Sequence, residues 1–142
     1  MNSDQLENLV RVGKLVKEAP SRSEFEGLAN SARSRLQDAQ RSDLSLDSRF
    51  DLASNAAHAL SLAALRWHGY RSDSRYLVFQ CLKHTVGLHD EEWRILDEAH
   101  RKRNLAEYEG TVDVEIALVE SMIRVTVKIN ETVSALEPPG KG

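Results

Sequence analysis

Residues 101–110 read RKRNLAEYEG. Arg101, Lys102 and Arg103 lead into Asn104, with Glu107, Tyr108 and Glu109 just beyond and His100 just before. Arginine stays charged at physiological pH and presents a planar fork of donors suited to anions. The chemistry this stretch can offer is anion binding, provided the side chains converge. Their spacing separates them. Trp93, Leu96, Ala99, Arg103 and Ala106 recur every three or four residues, so Arg103 continues an apolar helical stripe flanked by His100 and Asn104. Arg101 and Lys102 point elsewhere. An inward guanidinium needs partners, because an unpaired buried charge costs several kcal/mol. Asn104, Glu107 or a carboxylate from another helix are candidates. On the alternative reading the helix is leaving the core by this turn, Arg103 is exposed, and the three cations merely complement the C-terminal helix dipole.

The elements that must position these residues are helical. The body of the chain has few breakers: two of three prolines and two of seven glycines fall in the last five residues. A first helix is expected over about 3–18, with Leu6, Leu9, Val10, Gly13 and Val16 as its stripe, stopped by Pro20. Ser21 and Glu24 then match a capping box and open a second helix reaching about Gln40. The third, about 46–69, is rich in alanine and apolar on two sides. Phe50, Ala53, Ala57, Leu60, Ala64 and Trp67 form one stripe, and Leu52, Ala56, Ala59 and Ala63 the other. Two apolar sides require neighbours on two sides, so this helix belongs at the centre of a bundle.

A fourth helix is expected over about 74–86, closed by Gly87. A fifth runs from Asp90, its expected cap, to about Tyr108, with Gly110 as C-terminal cap. The sixth, about 112–136, contains IRVTVKI, which alternates like a strand. Its length and first-turn acids decide for helix. Its second apolar set, Leu118, Met122 and Val125, predicts a homodimer through this helix or the first. Residues 1–136 thus make one all-α domain, an up-and-down bundle of about five to six helices with no sheet, and 137–142 a disordered tail.

Composition narrows the function classes. Nineteen cations against 22 acids leave a net charge of −3, which gives no case for wrapping nucleic acid. Cys81 is the single cysteine, so no disulfide within the chain can form. It lies in an apolar run and reads as a small hydrophobe, with His84 as the only local base. No stretch approaches a membrane span and no signal peptide is visible, so the expected setting is cytoplasmic, with no membrane partner. His58, His68, His84, His89 and His100 form no deliberate metal-ligand spacing, and neither metal nor cofactor is expected. Trp67, His68 and Tyr70 cluster at a helix end, as core and boundary residues or as a base-stacking group.

The run LDEAHRKRNLAEYEG, followed by a long last helix, resembles proteins of the HEPN superfamily (higher eukaryotes and prokaryotes nucleotide-binding). The branch in question ends its penultimate helix in an Arg-Asn…Tyr signature, here Arg103, Asn104 and Tyr108. SNAAHALSLAALRWHGYRSD is similar to that family's central alanine-rich helix and the Gly-Tyr-Arg turn after it. The likeness spans roughly residues 20–135. It implies a helical bundle, often a homodimer with the motif near a shared cleft. Many members are metal-independent ribonucleases that use an arginine followed four to six residues later by histidine. Others are non-catalytic partners of a minimal nucleotidyltransferase in toxin–antitoxin pairs, and some bind nucleotide or nucleic acid.

This chain departs from the catalytic pattern. Arg103 is followed at those offsets by Glu107, Tyr108 and Glu109, and Arg101 by Leu105, Ala106 and Glu107. RNA cleavage needs one group to take the 2′-hydroxyl proton and another to protonate the leaving oxygen, tasks that suit histidine. Tyr108, with an ordinary pKa of about 10, is a poor unaided base. The expected function is therefore non-catalytic binding of a nucleotide, a nucleic acid (RNA) or a protein such as a nucleotidyltransferase. In that reading Arg103 and Asn104 face the anion or stabilise the motif, Tyr108 stacks or locks the helix end, and Arg101 and Lys102 edge the cleft. The competing expectation is a degenerate ribonuclease using Arg103, His100 and Glu107. A third is a purely structural motif in a protein-interaction module.

Overall fold

The computed structural model describes residues 3–110 and 114–140; the side chains of Ser3, Glu107, Tyr108 and Glu109 lie outside that description. In chain order the elements are α1 (Ser3–Arg11), β1 (Val16–Lys17), α2 (Arg22–Ala39), α3 (Leu46–Trp67), β2 (Tyr70–Arg71), α4 (Arg75–Gln80), α5 (Leu82–Thr85), α6 (Asp90–Glu109) and α7 (Ile116–Ala135). Helix accounts for 73% of the structure, so the chain is an all-α bundle as its periodicity predicts.

α3 is the central helix. It packs most extensively against α2 and α7 and also meets α4, α5 and α6. Both predicted sides are inward: Phe50, Ala53, Ala57, Leu60 and Ala64 on one, Ala56 and Ala63 on the other. Alanine lets the neighbouring helices come close without loss of helix propensity. Ser45 caps the start, its hydroxyl accepting from the Ser48 N–H.

Several expectations change. The first helix ends at Arg11 rather than about residue 18, because Gly13 turns into the left-handed region at φ +79°. The segment beyond it forms a two-residue antiparallel ladder, Val16 opposite Arg71 and Lys17 opposite Tyr70, so a minimal sheet exists where none was expected. Val16 is exposed, and Leu15 is the residue this arm buries, in a small second core with Leu6, Leu65, Tyr70, Val78 and Cys81. The fourth helix is divided into α4 and α5 at Cys81, and Gly87 closes it as predicted, at φ +82°. α6 is preceded by His89 as cap, not Asp90, and the His89 N–H donates to Glu92 Oε1 at 2.9 Å. Gly110 ends it at φ +78°.

α7 is helical through IRVTVKI, but it begins at Ile116, after the acids expected in its first turn. Its burial also differs. Ile116 is exposed, while Met122 and Val125 are fully buried within the chain. α7 fits between α3, α2 and α6, which cover Met122 and Val125 of the expected second apolar set and leave Leu118 half-buried. Met122 and Val125 therefore offer nothing to a second copy, and the argument for a homodimer through them falls. At the C-terminal end the Glu137 carbonyl accepts a 2.7 Å hydrogen bond from the Trp67 indole.

Candidate functional site

The buried, carboxylate-paired arginine of this fold is Arg66, not Arg103. Arg66 continues the Ala59–Ala63 side of α3 by one more step and is 1% exposed. Its Nε donates to Glu24 Oε1 at 2.7 Å, Nη1 to the Glu18 carbonyl at 2.9 Å, and Nη2 to the Ala19 carbonyl at 2.8 Å. Arg71 reaches both Glu18 and Glu24. Burial pushes the Glu24 pKa up, but hydrogen bonds from Arg71 and Arg66 outweigh it and leave the carboxyl below its ordinary value. Ser21 caps α2 by accepting from the Glu24 N–H, which is the N-cap half of the expected capping box. The Glu24 side chain at the same time ties α2 to the end of α3. This network is structural: the guanidinium is enclosed and its donors are engaged.

Arg103 has a different setting. Its side chain keeps 29% of its exposure, its Nη1 donates to the neutral Asn55 amide oxygen at 3.1 Å, and its Nε lies 3.8 Å from Asp51 Oδ1. Asp51 is itself more than half exposed. Arg103, His100 and Asn104 from α6 join Arg75 from α4 around a notch of about 160 Å³. Asn104 Nδ2 and His100 Nε2 are 3.3 Å apart, one helical turn from each other. Ser74 fixes the start of α4 by accepting from the Leu77 N–H, which puts Arg75 at its first residue. Burial, and then the charge of Arg103, lower the Arg75 pKa: two guanidiniums converge on one space.

Behind the notch, Phe79 holds two imidazoles. His58 meets its ring edge-on at 6.1 Å, and His100 at 6.5 Å. Burial drives the His58 pKa down to about 4, with Arg75 and His100 adding to the effect. His58 is therefore neutral at pH 7. The arrangement can hold an anion through charge-assisted hydrogen bonds from Arg75 and Arg103, with the Asn104 amide as a further donor.

The other predicted residues divide. Arg101 turns away from the notch and pairs with Asp97 at 3.3 Å. Lys102 is exposed. The expectations for Glu107 and Tyr108 concern side chains outside the described residues. Trp67, His68 and Tyr70 do not make a stacking surface. Tyr70 is buried with its hydroxyl on Glu7, and Trp67 and His68 meet edge-on at 4.9 Å. Burial pushes the Cys81 thiol up to about 12, so it is a protonated core residue rather than a nucleophile. Among the described residues no group of three His, Cys, Asp or Glu side chains could hold a metal ion, and no helix is long and apolar enough to cross a membrane. Sequence reasoning missed Arg75, Asn55, Asp51 and the role of His58. Arg75 reaches the notch from α4, while Asp51 and Asn55 meet Arg103 and His58 meets Phe79 from α3, all distant in the chain from the motif. No protein-family model, curated protein or solved structure matches the chain.

Proposed function

We propose that this chain is a non-catalytic binding protein whose notch between α4 and α6 takes the phosphate of a nucleotide or nucleic acid. The observation that carries the reading is the convergence of Arg75 and Arg103 on one small space. Like charges at such a spot repel each other, and the carboxylate beside Arg103, Asp51, stands at a long 3.8 Å and is more than half exposed, so it offsets that repulsion only in part. A phosphate between the guanidiniums relieves the repulsion and accepts from both. The resemblance to HEPN proteins supports the same ligand class. The lack of a histidine four to six residues after Arg103 supports binding without cleavage.

The test is equilibrium binding of nucleotides and short RNA at low salt. Arg75→Ala and Arg103→Ala are each expected to weaken binding at least about tenfold, since a hydrogen bond to a charged group contributes roughly 1.5–3 kcal/mol. Lys102→Ala, at an exposed residue that lines neither the notch nor its surroundings, should change it less than about threefold, through long-range charge alone. Binding that ignores Arg75 and Arg103 would overturn the reading.

One observation favours a second reading, a metal-independent ribonuclease. His100 stands on the same wall as Arg103, with its ring edge against Phe79. RNA cleavage in the presence of a chelator, lost in both His100→Ala and Arg103→Ala, would establish it in place of the first.

A further inference from the structure

Next to Arg75 in the chain stands Tyr76, one of the few large apolar side chains left open to solvent, at 46% exposure. Its orientation is set from behind. Trp93, itself buried, meets the Tyr76 ring edge-on at 5.8 Å and 77°. Trp93 is held in turn: its indole N–H donates to Asp90 Oδ1 at 2.9 Å, and the Arg94 guanidinium lies 5.3 Å from its ring centroid. A half-open aromatic ring braced by a fixed partner is a platform that needs little ordering when a flat ligand stacks on it.

Tyr76 lines a groove of about 400 Å³ along the seam of α4 and α6, together with Gln80, Trp93, Asp97, Glu98 and Arg101. Its charges balance. Lys83 lies 3.4 Å from Asp90 and Arg101 lies 3.3 Å from Asp97, while Arg94 and Glu98 complete equal numbers of each sign. A phosphate gains little there. A flat, neutral, polar group gains a ring to stack on, carboxylates to accept from its amino groups, and an amide to donate to its carbonyls. The notch has the opposite character, with two arginines and no carboxylate among its lining residues. Arg75 lines the notch and Tyr76 lines the groove. Their Cα atoms are about 3.8 Å apart, as in any trans-linked pair. Both sites lie on the α4–α6 seam: Tyr76 sits by Trp93 and Arg101, and Arg75 by His100 and Arg103.

Resting on the phosphate-binding reading above, we propose that Tyr76 is the base-stacking residue of the same ligand, which is a nucleoside 5′-phosphate, either free or as one unit of a single strand. The base lies on Tyr76 in the seam groove, and the phosphate lies between Arg75 and Arg103. Tyr76 thereby sets the specificity of the notch for nucleotides over bare phosphate or a sugar phosphate.

The experiment is calorimetric titration of the full chain with four probes: inorganic phosphate, ribose 5-phosphate, the four common nucleoside 5′-monophosphates, and a single-stranded RNA of about ten nucleotides. Stacking on an aromatic residue is worth roughly 5- to 150-fold per base. At least one monophosphate, or the strand, is therefore expected to bind about tenfold or more tightly than ribose 5-phosphate. Tyr76→Ala should abolish that margin, with ribose 5-phosphate affinity unchanged, and Tyr76→Phe should keep it. A preference for monophosphates identifies a free nucleotide as ligand, and tight binding of the strand alone identifies a strand unit. If ribose 5-phosphate binds as well as every nucleotide and the strand, or Tyr76→Ala keeps the margin, the Tyr76 proposal is overturned while the phosphate reading stands. If no probe binds, both fall. The melting temperature of Tyr76→Ala, expected near that of the parent chain for so exposed a ring, separates loss of binding from loss of fold.

Discussion

Arg66 and Arg103 both lie on inward-reading faces of long helices, and they reach opposite environments. Arg66 ends among the Glu24 carboxylate and main-chain carbonyls, with its side chain almost wholly enclosed. Arg103 ends on a neutral amide beside an open notch. Removing one partner of an enclosed pair strands the other, which costs about 3–5 kcal/mol. Glu24 retains part of its exposure and keeps Arg71, which moderates the loss. Arg66→Ala is therefore expected to destabilise the chain by about 3 kcal/mol, and Arg103→Ala by about 1 kcal/mol or less. Urea denaturation of the two variants checks the contrast. Equal losses would mean that Arg103 is as much a structural residue as Arg66. Periodicity marked Arg103 as inward but could not rank the two arginines, because the carboxylate that encloses Arg66 comes from α2, forty-two residues away.

At the scale of elements, α3 decides the architecture. Its alanines admit α2 on one side and α7 on another, with α4 and α6 behind the notch. Ala57 is 1% exposed. Adding three carbons there pushes neighbouring helices apart, and overpacking of this kind costs roughly 1–3 kcal/mol. Ala57→Leu is expected to lose that much stability in thermal or urea unfolding while remaining helical by circular dichroism. An unchanged midpoint would show that the helices around α3 have room to spare. The two-sided apolar pattern made this helix legible in the sequence. The course of the chain after α1 was less so. Gly13 fits a helical stripe as well as it fits a left-handed turn, and the pairing of residues 16–17 with 70–71 depends on the placement of α3 between them.

At the scale of the whole molecule, acid should act through separate groups in successive pH windows. His58 has a folded pKa of about 4 against an ordinary value of about 6.5. Above 6.5 it is neutral in both states and contributes nothing to the pH dependence. Between 6.5 and 4 the unfolded chain takes up the proton and the folded chain does not, so stability falls as pH is lowered. Glu24 then acts below about 4.5, the ordinary value from which its folded pKa is lowered. Its contribution is present above that pH and is lost as pH falls through the folded pKa. The unfolding free energy is therefore expected to decline from pH 6.5 downwards. His68 and His84, also lowered by burial, act in the same upper window, so His58→Leu should lessen the decline between 6.5 and 4.5 without removing it and leave the fall below 4.5 in place. Denaturant titrations at half-unit pH steps measure both limbs, and a parent chain with constant stability from pH 6.5 to 4.5 would contradict the enclosed, neutral His58.

By itself the sequence determined the helical class, the central place of α3, the cap at Ser21, and the glycine stops at Gly87 and Gly110. These follow from period, capping chemistry and backbone freedom, all of which act within a few residues. It also placed Arg103, His100 and Asn104 on one side of one helix, because turn geometry alone does that. Only the tertiary structure decided that Arg75 faces them, that the Asn55 amide accepts from Arg103 with the Asp51 carboxylate 3.8 Å away, that Arg66 is the enclosed arginine, and that Tyr76 is an open ring next to Arg75. The physical reason is the same in each case. Whether a charged or aromatic side chain is enclosed or open depends on which other elements arrive beside it, and that is set by packing around α3 rather than by the residues adjacent in the chain.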